Sequence, residues 1–246
     1  MTSGKGILVA FEGIDGAGKT TQVQILRRAL EQAGESVEVS KEPTDSEWGR
    51  VIKESATSGR LSAEAELDAF LKDRTQHVRT TIAPALEAGR ILLLDRYFYS
   101  SIAYQGARGI DYTAIRATME ARFPIPDAVF ILDINPALGL HRIAHSRGET
   151  PNQFEKQTEL EEARAIFGNL HAREIHHIDG SASVSQVHRT VLNVLIEGAF
   201  KAKRCAKEYG CDNPFECAYR LSDSCEWVRL RKVLASLDTP LVSVPG

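Results

Sequence analysis

Short, uninterrupted apolar runs alternate with longer stretches of helical periodicity over most of the chain. The first run, Gly6-Ile7-Leu8-Val9-Ala10-Phe11, has no polar face, the pattern of a strand buried on both sides in a parallel sheet. Residues 22–30 carry apolar side chains at helical spacing and close near Gly34, a residue suited to a helix C-cap. Residues 36–40 predict a second strand, residues 63–88 a long helix closing at Gly89, and residues 91–94 a third strand of pure aliphatics. A helix around 112–122, a strand over 127–133 and a helix from about Ala137 follow, leading to a basic, polar turn over 142–152. Residues 154–172 read as helix, 175–178 as a last short strand and 184–200 as a last amphipathic helix. Strands alternating with helices predict an α/β fold: five parallel strands in one sheet flanked by helices, a three-layer arrangement.

Ligands of such sheets bind beyond the carboxyl ends of the strands. Four polar features follow predicted strands: a glycine-rich stretch after the first, then Glu42, Asp95 and Asp179. They are expected to converge on one crevice. Gly13-Ile14-Asp15-Gly16-Ala17-Gly18-Lys19-Thr20, with Thr21 behind it, has the P-loop pattern. Its glycines let successive backbone N–H groups point at phosphate oxygens, and the helix starting near Gly18 adds its positive end. Lys19 can reach the β- and γ-phosphates of ATP, and the Thr20 hydroxyl can ligate Mg²⁺. The alternative is a chance glycine-rich turn, but the strand before and the helix after both favour a P-loop NTPase fold. The second feature is Asp95-Arg96-Tyr97. Its carboxylate can hold Mg²⁺ or a water of it, and the adjacent guanidinium can bind a phosphate bidentately and offset charge as a phosphoryl group moves. Alone, the pair would read as an ordinary ion pair at a strand end.

Composition narrows the setting. A chain of 246 residues suits one sizeable α/β domain with an appendage. The formal net charge of -3 gives no global reason to expect a nucleic-acid or membrane partner. No aliphatic run approaches membrane-spanning length, and the N-terminus reaches the P-loop without a cleavable signal pattern, so a cytoplasmic protein is expected.

Phe11-Glu12 with the P-loop, Glu42-Pro43-Thr44, Phe70 with Asp73-Arg74, and Asp95-Arg96-Tyr97 followed by Ser100-Ser101 and Ala103-Tyr104-Gln105-Gly106 resemble the thymidylate kinase family. Order and spacing match over about residues 5–200. The resemblance implies transfer of the ATP γ-phosphoryl group to dTMP, with Mg²⁺ as cofactor, in a homodimer. It implies that residues 13–21 bind ATP and that Lys19, Arg96, Asp15 and a lid arginine are catalytic. Phe70 would stack on thymine, Arg74 would hydrogen-bond its edge, and Ser101 and Gln105 would line the base pocket. Tyr104 would stand where a ribose 2′-hydroxyl would otherwise lie, Asp15 would reach the 3′-hydroxyl, and Arg96, with Arg50, would hold the acceptor phosphate. Glu42 joins the same acceptor site. Without the family, Phe70 reads as a core residue on an apolar helical stripe, and Tyr104 and Gln105 as helix surface.

The segment of about 142–153 resembles the family's lid over ATP. Some members carry a basic residue where this chain has Gly16; with glycine there, the lid supplies the cation, Arg147 being the first candidate and Arg142 the second. A solvated basic turn is the alternative. Asp179-Gly180-Ser181 resembles the adenine-side loop. Lys41 stands where arginine is common, and residues 45–48 depart from a glycine-rich continuation, which bears on acceptor selectivity. The competing functions are a related nucleoside monophosphate kinase with another acceptor, such as dUMP, and a non-catalytic ATP-binding regulator. An acceptor pocket argues against the regulator.

The resemblance divides the chain into a kinase-like domain, 1–200, and a C-terminal extension, 201–246. All four cysteines, Cys205, Cys211, Cys217 and Cys225, fall in the extension. Without a Cys-x-x-Cys pair they match zinc ribbons poorly. Two readings stand: a Zn²⁺ or iron–sulfur site, or free thiols packed on the kinase body. Lys201, Lys203, Arg204 and Lys207 form a basic patch that Glu208 and Asp212 dilute, so a solvated face is favoured over nucleic-acid contact.

Overall fold

The structure is a computed structural model that describes residues 6–147, 157–205 and 231–235. Its strands are β1 (Ile7–Glu12), β2 (Val37–Lys41), β3 (Ile91–Asp95), β4 (Ala128–Asp133) and β5 (Ile175–Asp179). The helices are α1 (Lys19–Gln32), α2 (Glu47–Ser58), α3 (Ala63–His77), α4 (Ala83–Glu87), α5 (Phe98–Gly106), α6 (Tyr112–Arg122), α7 (Pro136–Arg147), α8 (Gln157–Gly168) and α9 (Val184–Leu195).

The strands form one parallel sheet in the order β2-β3-β1-β4-β5. Every residue of β1 and β3 is buried, which explains why neither run shows a polar face in the sequence. Val9 at the centre of β1 lies opposite Leu93 on one side and Ala128 on the other. From β1 the chain first goes to the edge strand β2, returns to β3 beside β1, then crosses to β4 and β5 on the opposite side. The strand order reverses at β1, and the crevice at its carboxyl end is where a sheet of this kind binds ligands. Helices α1 and α9 pack together, as do α3, α5, α6 and α8 through α5.

The long helix expected over 63–88 is α3, a π-helical turn at Val78–Ile82, and α4. Pro84 lies in the first turn of α4 and has no N–H to give the preceding turn, so the helix widens there instead of ending. The basic segment expected as a turn from Arg142 is different: α7 continues to Arg147. At the other end of the chain, α9 runs into a π-helical segment, Ile196–Cys205, and so crosses the expected boundary at residue 200. Phe200 is fully buried in the main hydrophobic cluster, and Leu234 joins the same cluster.

Candidate active site

The segment from Gly13 to Gly18 leaves β1 at the point of strand reversal and enters α1. Two glycines are required by close approach. A side chain at Gly13, where φ is 127°, would bring Cβ within 2.4 Å of the Leu132 carbonyl oxygen. At Gly16, with φ 77°, Cβ would lie 2.3 Å from the Gly139 carbonyl oxygen. The loop is thus wedged between β4 and the first turns of α7, and no lysine or arginine fits at position 16. Lys19 Nζ donates to the carbonyls of Gly13 (3.0 Å) and Ile14 (2.8 Å), curling over the loop. Burial, reinforced by Arg96, pushes the Lys19 ammonium down to about 8.

Beside it, the Thr20 hydroxyl donates to Asp95 Oδ2 at 2.5 Å. The other carboxylate oxygen, Asp95 Oδ1, is buried and has no hydrogen-bond partner. A paired hydroxyl and an unpaired buried carboxylate oxygen are the hard oxygen donors that Mg²⁺ prefers, so these residues fit that ion.

Arg96, next in the chain, has φ 74°, a left-handed backbone that a branched-out side chain adopts at a cost. It is held there on both flanks. Its own N–H donates to the Phe11 carbonyl (3.0 Å), and the Tyr97 N–H donates to Glu12 Oε1 (2.8 Å). The guanidinium then reaches Gly13 O (3.2 Å), Ser100 Oγ (3.0 Å) and Asp15 Oδ1 (2.7 Å). The Tyr104 hydroxyl donates to Asp15 Oδ2 at 2.7 Å, and its ring lies under the guanidinium. Burial alone would raise the Asp15 carboxyl, but Arg96, Lys19 and Tyr104 outweigh it and hold it below the usual carboxylate range.

Two cavities flank this junction. One, of about 630 Å³, is walled by α2, α3, α5 and the Glu42-Pro43-Thr44 turn; the other, of about 690 Å³, by the P-loop, α7 and the loop after β5. Asp15, Lys41 and Arg96 line both. Each volume suits a ligand of nucleotide size.

In the first cavity Phe70 is half-buried and lines the wall. Its neighbours Leu67 and Leu71 pack on the core, while Phe70 does not. Arg74, 1% exposed, donates through Nε (2.8 Å) and Nη2 (2.6 Å) to Glu42 Oε2, and through Nη2 to Ser101 Oγ (3.1 Å). Glu42 Oε1 in turn meets His77 Nδ1 at 2.9 Å. That leaves Nη1, facing only the Met119 sulfur at 3.3 Å, as the donor least engaged. Asp73 accepts from the Thr44 N–H (2.9 Å) and the Ser46 hydroxyl (2.6 Å), pinning the turn after β2 to α3. In the second cavity Arg142 Nη1 spans from α7 to the carbonyls of Gly180 (3.0 Å) and Gly16 (3.4 Å).

Two adjoining nucleotide-sized cavities meeting at an arginine fit the pattern of a phosphotransferase with separate donor and acceptor pockets. A family model described as Thymidylate kinase matches residues 11–191. The chain is 49% identical over 191 residues to a thymidylate kinase of Xanthomonas campestris pv. campestris (strain B100), covering 78% of this chain and 83% of that one. It is 46% identical to a thymidylate kinase of Xanthomonas oryzae pv. oryzae (strain PXO99A) over the same shares, and 48% identical to one of Akkermansia muciniphila, covering 92% of the latter. The chain belongs to the thymidylate kinase family.

Within that family's frame, the structure brings most of the expected site residues to the crevice. Asp15, Gly16, Ala17, Gly18, Lys19, Thr20 and Thr21 line the second cavity, whereas Gly13 and Ile14 face Lys19 with their carbonyls. Glu42, Phe70, Arg74, Arg96, Tyr104 and Gln105 line the first. Ser101 stands behind Arg74 and not on the wall. Arg50 is exposed, with its guanidinium on the Asp45 carbonyl (2.7 Å), and is not among the lining residues. Arg147 ends α7, and its side chain lies outside the described residues, as do residues 148–153 of the expected lid. Cys211, Cys217 and Cys225 also lie outside them, and nothing supports a Zn²⁺ or iron–sulfur site: among the described residues no three His, Cys, Asp or Glu side chains converge. Among the same residues no helix is long and apolar enough to cross a membrane.

Glu12, Glu66, Asp73 and Tyr97 carry no role in the sequence reading, yet each shapes the crevice. Glu12 is wholly buried, accepting from the Tyr97 N–H and the Ser100 hydroxyl (2.6 Å), and burial raises its carboxyl to about 7. The Tyr97 hydroxyl is buried without a hydrogen-bond partner on the wall of the first cavity. The Asp73-Arg74 and Asp95-Arg96-Tyr97 clusters marked these stretches, but Glu12 and Glu66 give no local sign of burial.

Proposed function

We propose that this family member transfers the γ-phosphoryl group of ATP to the phosphate of dTMP, giving dTDP and ADP. ATP occupies the cavity over the P-loop and dTMP the cavity between α2, α3 and α5. The observation that carries this reading is the shared wall of Asp15, Lys41 and Arg96, which joins the two cavities; donor and acceptor phosphates would meet there. The acceptor phosphate is already anionic, so no general base is needed; catalysis is alignment of the two phosphates plus stabilisation of the spreading charge. Lys19 swings from the loop carbonyls to the triphosphate, and Arg96 holds the acceptor phosphate in line with it. Asp15, kept ionised by Arg96, accepts from the sugar 3′-hydroxyl, while Tyr104 fills the space a 2′-hydroxyl would need. Phe70 stacks on the base, and Arg74 donates to its edge. Thr20 and Asp95 would hold Mg²⁺, which would neutralise phosphate charge. Arg147 is the cation that the lid supplies, because the close approach of Gly139 leaves no room for one on residue 16. Our reading of the assembly is a homodimer, as the family resemblance implies; sedimentation equilibrium tests it.

Initial rates with ATP and a panel of dTMP, dUMP, dCMP, dAMP and dGMP test the function. dTMP is expected to give the highest kcat/KM. A better acceptor among the others overturns the substrate, and no transfer to any of them overturns the reaction.

A further inference from the structure

The wall of the acceptor cavity at Glu66 and Gln105 is backed by a buried charge network. Glu66 is completely buried, and its carboxylate pairs with Arg60 (Nε to Oε2, 3.0 Å) and Arg108 (Nη1 to Oε2, 3.0 Å). Arg60 also pairs with Glu159 of α8, and Arg108 Nη2 donates to the Leu61 carbonyl at 2.7 Å. The network therefore ties the α2–α3 connection, α3, α5 and α8 to one carboxylate. Its remaining contact is with Gln105: the side-chain Nε2 donates to Glu66 Oε1 at 2.8 Å.

That contact fixes the chemistry of the cavity wall. A carboxylate held by two guanidinium groups can only accept hydrogen bonds, so the amide nitrogen of Gln105, not its oxygen, must face it. The Gln105 carbonyl oxygen is thereby turned the other way. It is buried without a hydrogen-bond partner in a side chain only 1% exposed, on a wall shared with Phe70 and Arg74. A buried acceptor with nothing to accept from marks the place of a donor brought by the ligand. Glu66, Phe70 and Arg74 recur at four-residue spacing on α3, so Glu66, which holds the Gln105 amide, and Arg74 stand about one turn to either side of the aromatic platform.

We propose that Glu66 sets base selectivity as a positioning residue, by holding the Gln105 amide so that its oxygen faces the ring N3 of the acceptor base. Thymine presents N3–H there and is accepted. Cytosine presents a lone pair at N3, so two desolvated acceptors oppose each other and the base is rejected. This inference rests on the acceptor cavity taking a pyrimidine nucleotide, as proposed above. Glu66→Gln replaces the pure acceptor with a group that both accepts and donates, which lets the Gln105 amide turn over. Arg74 still favours a carbonyl over an amino group at the base edge, so discrimination is weakened and not abolished.

The test is the ratio of kcat/KM for dTMP to that for dCMP, with thermal melting and the KM for ATP as controls. Glu66→Gln is expected to narrow the ratio at least tenfold while the KM for ATP, whose cavity Glu66 does not line, stays unchanged. Gln105→Leu, which leaves the ion pairs intact, is expected to narrow it comparably, and the double variant to narrow it no further. Equal losses for both acceptors in Glu66→Gln, or additive narrowing in the double variant, overturn the proposal. Should Glu66→Gln fail to fold, an unchanged ratio in Gln105→Leu overturns it. A wild-type enzyme that does not prefer dTMP defeats the proposed function itself, and is thereby distinguished from failure of this inference alone.

Discussion

Arg96 Nη2 lies 2.7 Å from Asp15 Oδ1, which ties the only left-handed non-glycine backbone among the described residues across the crevice to the P-loop. The Asp15 carboxylate is shared, its second oxygen accepting from Tyr104. One residue from each of three chain segments is thus held at the junction of the two cavities before any phosphate arrives, which is what electrostatic preorganisation requires. Arg96→Lys keeps a charge but loses the planar fork that satisfies Asp15, Ser100 and a phosphate together. It is expected to lower kcat by about 100-fold with little change in the KM for ATP, measured by steady-state kinetics. Retention of most of the turnover would remove Arg96 from the transferring group.

The contact between the P-loop and α7 is backbone against backbone. A Cβ on Gly139 would lie 2.4 Å from the Asp15 carbonyl oxygen, and one on Gly16 equally close to Gly139. Gly139→Ala therefore has to push α7 away from the loop, and with it Arg142, which bridges to Gly180. The KM for ATP is expected to rise about tenfold, a 1.4 kcal/mol loss, while the KM for dTMP changes less. Measuring both constants on the purified variant separates a donor-side effect from general destabilisation.

The elements that could be read from the sequence are those whose environment leaves a local imprint. β1 and β3 lie inside the sheet and are apolar throughout; the P-loop carries its glycines because the backbone must approach Leu132 and Gly139. α5 is harder to place, since nearly every residue from Phe98 to Gln105 is buried and no polar face marks its period. The end of α7 has the polar, basic character of a turn, yet no glycine or proline interrupts it before Gly148. Phe70 sits on a stripe that looks like core, and only the tertiary packing of Leu67 and Leu71 leaves its ring to the cavity. Glu12 and Glu66 are the least legible. Acidic residues are ordinarily exposed, and most of their partners lie far away in sequence: Ser100 for Glu12, and Gln105 and Arg108, besides the nearby Arg60, for Glu66.

Burial of Glu12 has a consequence for stability against pH. Its carboxyl titrates near 4.5 when unfolded and near 7 when folded, because burial disfavours the ionised form. Between those values the folded state binds more protons than the unfolded one, so stability contributed by Glu12 is intact below pH 4.5 and lost as pH rises to 7. The loss amounts to about 3 kcal/mol. Urea unfolding of the wild type and Glu12→Gln at pH 5 and pH 7.5 isolates this group from the other carboxylates. The difference in stability between the two proteins is expected to shift in favour of Glu12→Gln at the higher pH; a difference independent of pH would show that Glu12 does not titrate in this range.

The two arginines of α7 are expected to separate by kinetic effect. Arg142 donates to the carbonyls of Gly16 and Gly180, bracing the walls of the donor cavity against each other through backbone atoms. Interactions of that kind hold substrate and transition state alike, so Arg142→Ala should raise the KM for ATP about tenfold with kcat little changed. Arg147 lies five residues on, at the end of the helix and within the expected lid of about 142–153. In the role proposed for it, as the cation that compensates for glycine at position 16, it acts on charge that develops only during transfer. Arg147→Ala should therefore lower kcat by at least about 100-fold and leave the KM for ATP nearly unchanged. Steady-state constants for both variants decide the assignment: a loss of kcat confined to Arg142→Ala would move the catalytic cation from the end of α7 to the residue that touches the P-loop.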